Sequence, residues 1–292
     1  MGDLAIDTAV EQTGSATYTC DLSPDWEIWG PNGGYLASVA MRAAGVASDR
    51  ARPASINAHF VGAGRSAPVE IATEVNRATR VATSVTVRIS QEGRPLLVAT
   101  VWGVDGDLDG LEHHTELGPH DVANPSELKR TEELLGVQDG SPRHPFWDNI
   151  EQRPTEWIDD WENREVSEPS TRAWVRFVPR ATFADPWVDA CRSLILIDLD
   201  SWPSACRAHL GDLEHFAPTI EVTARFLGST ADEPWLLSEA SAPVATAGLV
   251  AGVGQVWTLD RELVAVGGST LLCRPAVRRP DQCVRPDPDE GG

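Results

Sequence analysis

A chain of 292 residues that is 41% hydrophobic can bury either one large core or two smaller ones. Its formal charge is −20 and Lys129 is its only lysine, so it lacks the polybasic run that holds a nucleic-acid backbone or an anionic membrane. Neither is expected as a partner, and an acidic N-terminus with no window of about 20 apolar residues points to a cytoplasmic protein.

The first informative stretch is GPNGGYLASVAMRAAG, residues 30–45. It predicts a turn running into a helix covered on most sides by Tyr35, Leu36, Val39, Ala40, Ala43, Ala44 and Ala47, as expected if a curled sheet wraps it. Two glycines at such a helix start have two readings. They leave backbone N–H groups open to a carbonyl oxygen or an anion, or they merely permit a tight turn behind Asn32 as N-cap.

Residues 55–103 alternate as strands: INAHFVG, PVEIATEVNRAT, VATSVTVRISQEG and RPLLVATVWGV, with Gln91, Glu92 and Gly93 turning the last two into a hairpin. From 105 to about 170 the composition is acidic and polar, with one helical stretch, PSELKRTEELLG. This reads as a connector laid across a surface by Trp147, Trp157 and Trp161. His113, His114 and His120 lie there near Glu112, Glu116 and Asp121, a set able to hold a metal but read as solvated loop. Strand and helix patterns resume at TRAWVRFVP, and the Pro- and charge-rich end reads as a disordered tail. The divisions expected are 1–104, 105–170, 171–275 and 276–292. Cys20, Cys191, Cys206, Cys273 and Cys283 have no CxxC spacing and read as free thiols. Trp26, Trp29, Trp174, Trp187 and Trp202 could line a channel but read mainly as core.

A shift of 166 residues lays ASINAHFVG on EVTARFLG, with Ala58 on Ala224, Phe60 on Phe226 and Gly62 on Gly228. The same shift sets Pro68 on Pro234 and Leu97, Val98 and Ala99 on Leu263, Val264 and Ala265. The chain therefore reads as a duplication, each half a strand, a helix and four antiparallel strands.

NGGYLASVAMRAA, PASINAHFVGAG, the arginines around NRATR and the terminal LVAVGGSTLLCRP together resemble the tandem, or double, hot dog acyl-CoA thioesterase family, over roughly residues 17 to 275. The resemblance implies an α+β fold of two hot dog units with a continuous sheet. It also implies hydrolysis of an acyl-CoA thioester in fatty-acid metabolism, with no metal or redox cofactor. Its carboxylate, hydroxyl and last-strand Gln would orient water. The 166-residue shift puts Asp198 on Asn32, where the family's aspartate belongs, with Asp200 as rival or helix N-cap. Thr219 matches the hydroxyl position. The Gln is absent, and Ser269 or Thr270 stands in its place with the register open by one. Gly33 and Gly34, behind Asn32, would form the oxyanion site. In a chain this acidic, CoA would be held by local cations such as Arg65, Arg77 and Arg80. The alternative is a non-hydrolytic acyl-thioester binding protein. A hot dog hydratase is disfavoured because His209 falls eleven residues after Asp198. Paired units in one chain imply a pseudo-dimeric monomer, with further homo-oligomerisation left open.

Overall fold

Apolar alternation becomes strand wherever the first half predicts it. A computed structural model, describing residues 1–113, 122–136, 143–161, 163–210 and 214–276, begins with α1 (Leu4–Asp7), β1 (Glu11–Gln12), β2 (Thr17–Asp21) and α2 (Gly33–Ser48). There follow β3 (Arg52–Phe60), β4 (Pro68–Ala78), β5 (Ala82–Gln91), β6 (Arg94–Val104), α3 (Thr131–Leu135) and β7 (Ile150–Pro154). The second half is β8 (Ser170–Phe177), α4 (Pro186–Leu199), α5 (Ser201–Arg207), β9 (His215–Phe216), β10 (Thr219–Phe226), β11 (Leu236–Thr246), β12 (Leu249–Trp257), β13 (Leu263–Leu272) and β14 (Arg274–Pro275). Glu92 and Gly93 both take positive φ, the geometry a two-residue hairpin turn needs. His114, Glu116, His120, Asp121, Cys283 and the tail from 277 onward lie outside the described residues. Among the described residues no helix is long and apolar enough to cross a membrane.

Twelve strands form one antiparallel sheet in the order β1-β2-β4-β5-β6-β3-β10-β13-β12-β11-β8-β7. The segment expected as a connector thus also supplies an edge strand, β7. Its Glu151 is buried and ion-paired to Arg130, Arg153 and Arg176, which fixes the strand to its surroundings. α2 and α4 lie against the sheet, and their side chains form the centre of the main core. Trp26, Trp174 and Trp187 are buried as expected, but Trp29 is 92% exposed, its ring edge-on to His144, because it sits in the loop before α2 rather than beneath the sheet.

The two halves meet at β3 and β10, where Asn57 pairs with Thr223, Ile56 with Ala224 and Ala58 with Val222. Asn57 and Thr223 are 166 residues apart. The shift read from the sequence is therefore the operation that exchanges the halves, and its two-fold axis passes through this pair. Both strands end in the same bend: Val61 and Gly62 N–H groups donate to the Leu96 carbonyl, Leu227 and Gly228 to that of Val264.

Beyond that bend the ungapped alignment slips. Phe60 pairs with Leu97 and Phe226 with Ala265, so Leu97 corresponds to Ala265, two residues past Leu263. The loop from 228 to 235 is the longer one, and the matches of Pro68 with Pro234 and of 97–99 with 263–265 are not structural equivalences. A slip of two leaves every side chain on its original face, which is why the strand pattern still agrees.

The helices obey a third offset, 153. Asn32 and Asp185 are the N-caps of α2 and α4, each accepting from the backbone N–H of the residue at N3 or N2. Ser38 Oγ donates to the Gly34 carbonyl as Cys191 Sγ donates to that of Trp187. The counterpart of Asn32 is therefore Asp185, not Asp198. Residues 49–51 link α2 to β3, whereas 200–218 link α4 to β10, and that insertion breaks the single shift.

The helices pack antiparallel so closely that a Cβ on Gly34 would lie 2.7 Å from Ile195 Cα. Because the obstacle is backbone, Gly34→Ala must push the helices apart. It should cost about 1–3 kcal/mol, read as a lower urea midpoint with an unchanged slope, whereas a gain in midpoint would show that the close approach does not matter.

Candidate active site

The close approach delivers the start of α2 to the end of α4. Asp198 is the penultimate residue of α4, almost fully buried. Its Oδ2 accepts the Gly34 N–H at 2.9 Å and its Oδ1 accepts the Thr219 hydroxyl at 2.9 Å. The helix start beside Asp198 thus belongs to the other half of the chain, and α2 supplies the positive end of its dipole to the carboxylate. Gly33 is needed here as well, since a Cβ on it would stand 2.6 Å from Asp198 Oδ2.

The first turn of α2 has a complete donor account. Gly34 N–H goes to Asp198, Tyr35 N–H to Asn32 Oδ1 and Leu36 N–H to the Asn32 carbonyl. Among the described residues Gly33 N–H is the first-turn donor with no acceptor. Asn32 is thus the N-cap and organiser of the turn, and the expectation that both glycines leave open N–H groups is corrected at Gly34, whose N–H is taken by the buried Asp198 carboxylate. Tyr35 anchors the far side: its ring stacks on Trp26, and its hydroxyl accepts Ser23 N–H and donates to the Asp7 carbonyl.

Burial pushes the Asp198 carboxyl up to about 6 from 3.8, while the bonds from Thr219 and Gly34 pull it back. Asp200, two residues on, is pushed up to about 6 by burial alone. It occupies the N-cap position of α5, but its side chain caps nothing. A carboxylate near 6 is ionised at neutral pH yet basic enough to take a proton from water. Each Asp198 oxygen accepts one protein bond, leaving acceptor capacity for a water.

Ser269 and Thr270 face opposite sides of the sheet. Ser269 is buried on the helix side, 2.8 Å from Ser201 Oγ. Thr270 lies on the outer side, 3.4 Å from Glu221, which also accepts from Asn57. Ser201, which the sequence reading did not single out, opens α5, and Gly252 leaves room for it: a Cβ there would lie 2.1 Å from Ser201 Oγ. Pro203 was the available signal, because proline is tolerated in a first turn and marks a helix restarting.

The three arginines separate. Arg65 is paired with Glu92, in the corner whose Gly64 carbonyl would stand 3.3 Å from a Cβ on Gly30, in the loop leading to Gly33. Arg80 lies at the opposite end of α2, where Arg50 donates to the Thr79 and Arg80 carbonyls, and Arg77 is the penultimate residue of β4, three residues before Arg80. A 16-residue helix is about 24 Å long, so neither accompanies Asp198. Among the described residues no group of His, Cys, Asp and Glu is arranged to hold a metal.

Residues 22–104 match the acyl-CoA thioesterase N-terminal domain family and residues 122–270 match the acyl-CoA thioesterase C-terminal domain family. No curated protein matches the chain in sequence. Three solved structures are similar throughout. A Thermobifida fusca protein provisionally described as a thioesterase II is 23% identical, with TM-score 0.78, 94% of this chain and 98% of that one covered. A hot dog protein of unknown function from Alicyclobacillus acidocaldarius is 20% identical, with TM-score 0.75 and coverage of 95% and 100%. The acyl-CoA thioesterase II TesB2 of Mycobacterium marinum is 19% identical, with TM-score 0.75 and coverage of 94% and 98%. At these identities the likeness establishes the double hot dog fold.

Proposed function

Since this chain belongs to the acyl-CoA thioesterase family, we propose that it hydrolyses the thioester of an acyl-CoA with water activated by Asp198. The observation that carries the reading is the buried Asp198 carboxylate, held between Gly34 N–H and the Thr219 hydroxyl beside an open Gly33 N–H. Asp198 takes a proton from water as the water oxygen bonds to the thioester carbon. Gly33 N–H donates to the oxygen that becomes negative, where a fixed backbone dipole is most effective. Collapse breaks the carbon–sulfur bond, and the proton on Asp198 returns to the departing thiolate. In this reading Arg65, in the corner beside the loop that leads into α2, meets the nucleotide of CoA, and Arg77 and Arg80, towards the other end of α2, take no part. The complete chain, given acetyl-, octanoyl- and palmitoyl-CoA, should release free thiol from at least one of them.

One observation favours a second reading. Ser269 offers a hydroxyl already engaged with Ser201 and no side-chain amide to hold a water beside Asp198. A protein that binds acyl thioesters without cleaving them would bind the three substrates and release no thiol.

Thr219→Val tests the part assigned to the hydroxyl. Loss of a hydrogen bond to a charged group should move the acidic limb of the pH–rate profile up by about one pH unit. An unmoved limb would leave Thr219 with only a structural part.

A further inference from the structure

The two-fold relation predicts a second copy of the site, and the structure has a cavity there. Offsets of 153 for helices and 166 for β10 carry Gly34 to Trp187, Asp198 to Gly45 and Thr219 to Pro53. At this second position the reactive groups are gone. Gly45 offers no carboxylate, Pro53 no hydroxyl, and the Trp187 ring lies 2.7 Å from where a Gly45 Cβ would stand.

Beside it is a cavity of about 300 Å³ lined by Arg52, Pro53, Pro186, Phe226, Leu227 and Val264, with Asp189, Ser193, Ser229 and Thr230 also on its walls. That volume is at the lower end for ligand pockets. Its charge pattern is specific. Both Asp189 oxygens are occupied, by Arg192, the Thr230 hydroxyl and the Thr230 N–H, so this carboxylate is neutralised within the wall. Asp185 is paired with Arg42 and Asp105 with Arg50. Arg52, half-buried, has no acidic partner and no side-chain hydrogen bond among the described residues. An unpaired guanidinium in a chain of charge −20, beside hydroxyls and an apolar wall, fits one anionic head joined to a short hydrocarbon tail.

We propose that this second cavity binds the free carboxylate of a short or medium acyl chain and does not turn it over. The ligand is the product class of the thioesterase reading, and in that respect alone the inference rests on it. Arg52 holds the carboxylate, and Phe226, Leu227 and Val264 receive the tail.

Calorimetric titration of the complete chain with sodium octanoate and, separately, octanol tests this without any turnover. Octanoate should bind and octanol much more weakly. Arg52→Gln should weaken octanoate roughly 10- to 100-fold, the range of a lost charged hydrogen bond, with Arg52→Lys restoring part of it. Ala190→Leu, which fills the cavity, should remove the same binding, and both variants should keep the hydrolytic rate of the parent. Octanoate binding that is absent, or unchanged in Arg52→Gln and Ala190→Leu, would overturn the proposal. Arg52-dependent binding in a protein that releases no thiol from any acyl-CoA would instead retain the cavity and remove the thioesterase reading.

Discussion

Asp198→Asn is expected to lower thioester hydrolysis by about 100-fold or more, the range for a lost general base, while leaving the fold in place. An asparagine can direct its oxygen at Gly34 N–H and its amide at the Thr219 hydroxyl, which can turn to accept, so both partners stay bonded. Melting should therefore remain cooperative. The parent profile should rise through pH 6, where the Asp198 carboxyl gives up its proton, and that limb should vanish in the variant. A variant as fast as the parent would remove Asp198 from the chemistry.

Asp200→Asn should do nearly the opposite: little change in rate and a gain in stability. Asp200 is buried, makes no side-chain hydrogen bond among the described residues, and has its carboxyl raised to about 6 from 3.8 by burial. Between those values the folded chain binds more protons than the unfolded one, so the group costs no stability below about pH 4. The cost grows as pH rises through 6 and is constant above, at up to roughly 3 kcal/mol. Asparagine cannot ionise. The variant should exceed the parent in urea midpoint at pH 8, and the gap should close towards pH 4. Equal midpoints at pH 8 would mean that Asp200 is solvated, and loss of the acidic limb in Asp200→Asn would make it, rather than Asp198, the base.

The strands of the first half were legible because one face is buried, and period-two alternation records that directly: Val85, Val87 and Ile89 are buried as the pattern requires. The duplication was legible for the same reason at β3 and β10, where the 166-residue shift coincides with the register of the joint. The helix offset was hidden. An ungapped comparison cannot register that 200–218 is longer than 49–51, so it brought Asp198 onto Asn32, although one ends a helix and the other caps one. The contact between Gly34 and Asp198, 164 residues apart, depends on two helices packing antiparallel, and nothing local records that. Strand parity could narrow Ser269 and Thr270 only once the register of β13 on β10 was fixed. Ser201 had only the indirect signal of Pro203, and its pairing with Ser269 depends on how α5 packs on β13. The Arg52 cavity follows from packing between halves and has no sequence signature of its own.

Single-turnover hydrolysis in ¹⁸O-labelled water bears most directly on the claim that Asp198 activates water rather than attacking the thioester itself. With enzyme in excess over octanoyl-CoA, direct attack by water places one labelled oxygen in the octanoate released on the first turnover and none in the protein. Unlabelled octanoate on that turnover, with label in the side chain of Asp198, would show an acyl-enzyme anhydride and contradict the account.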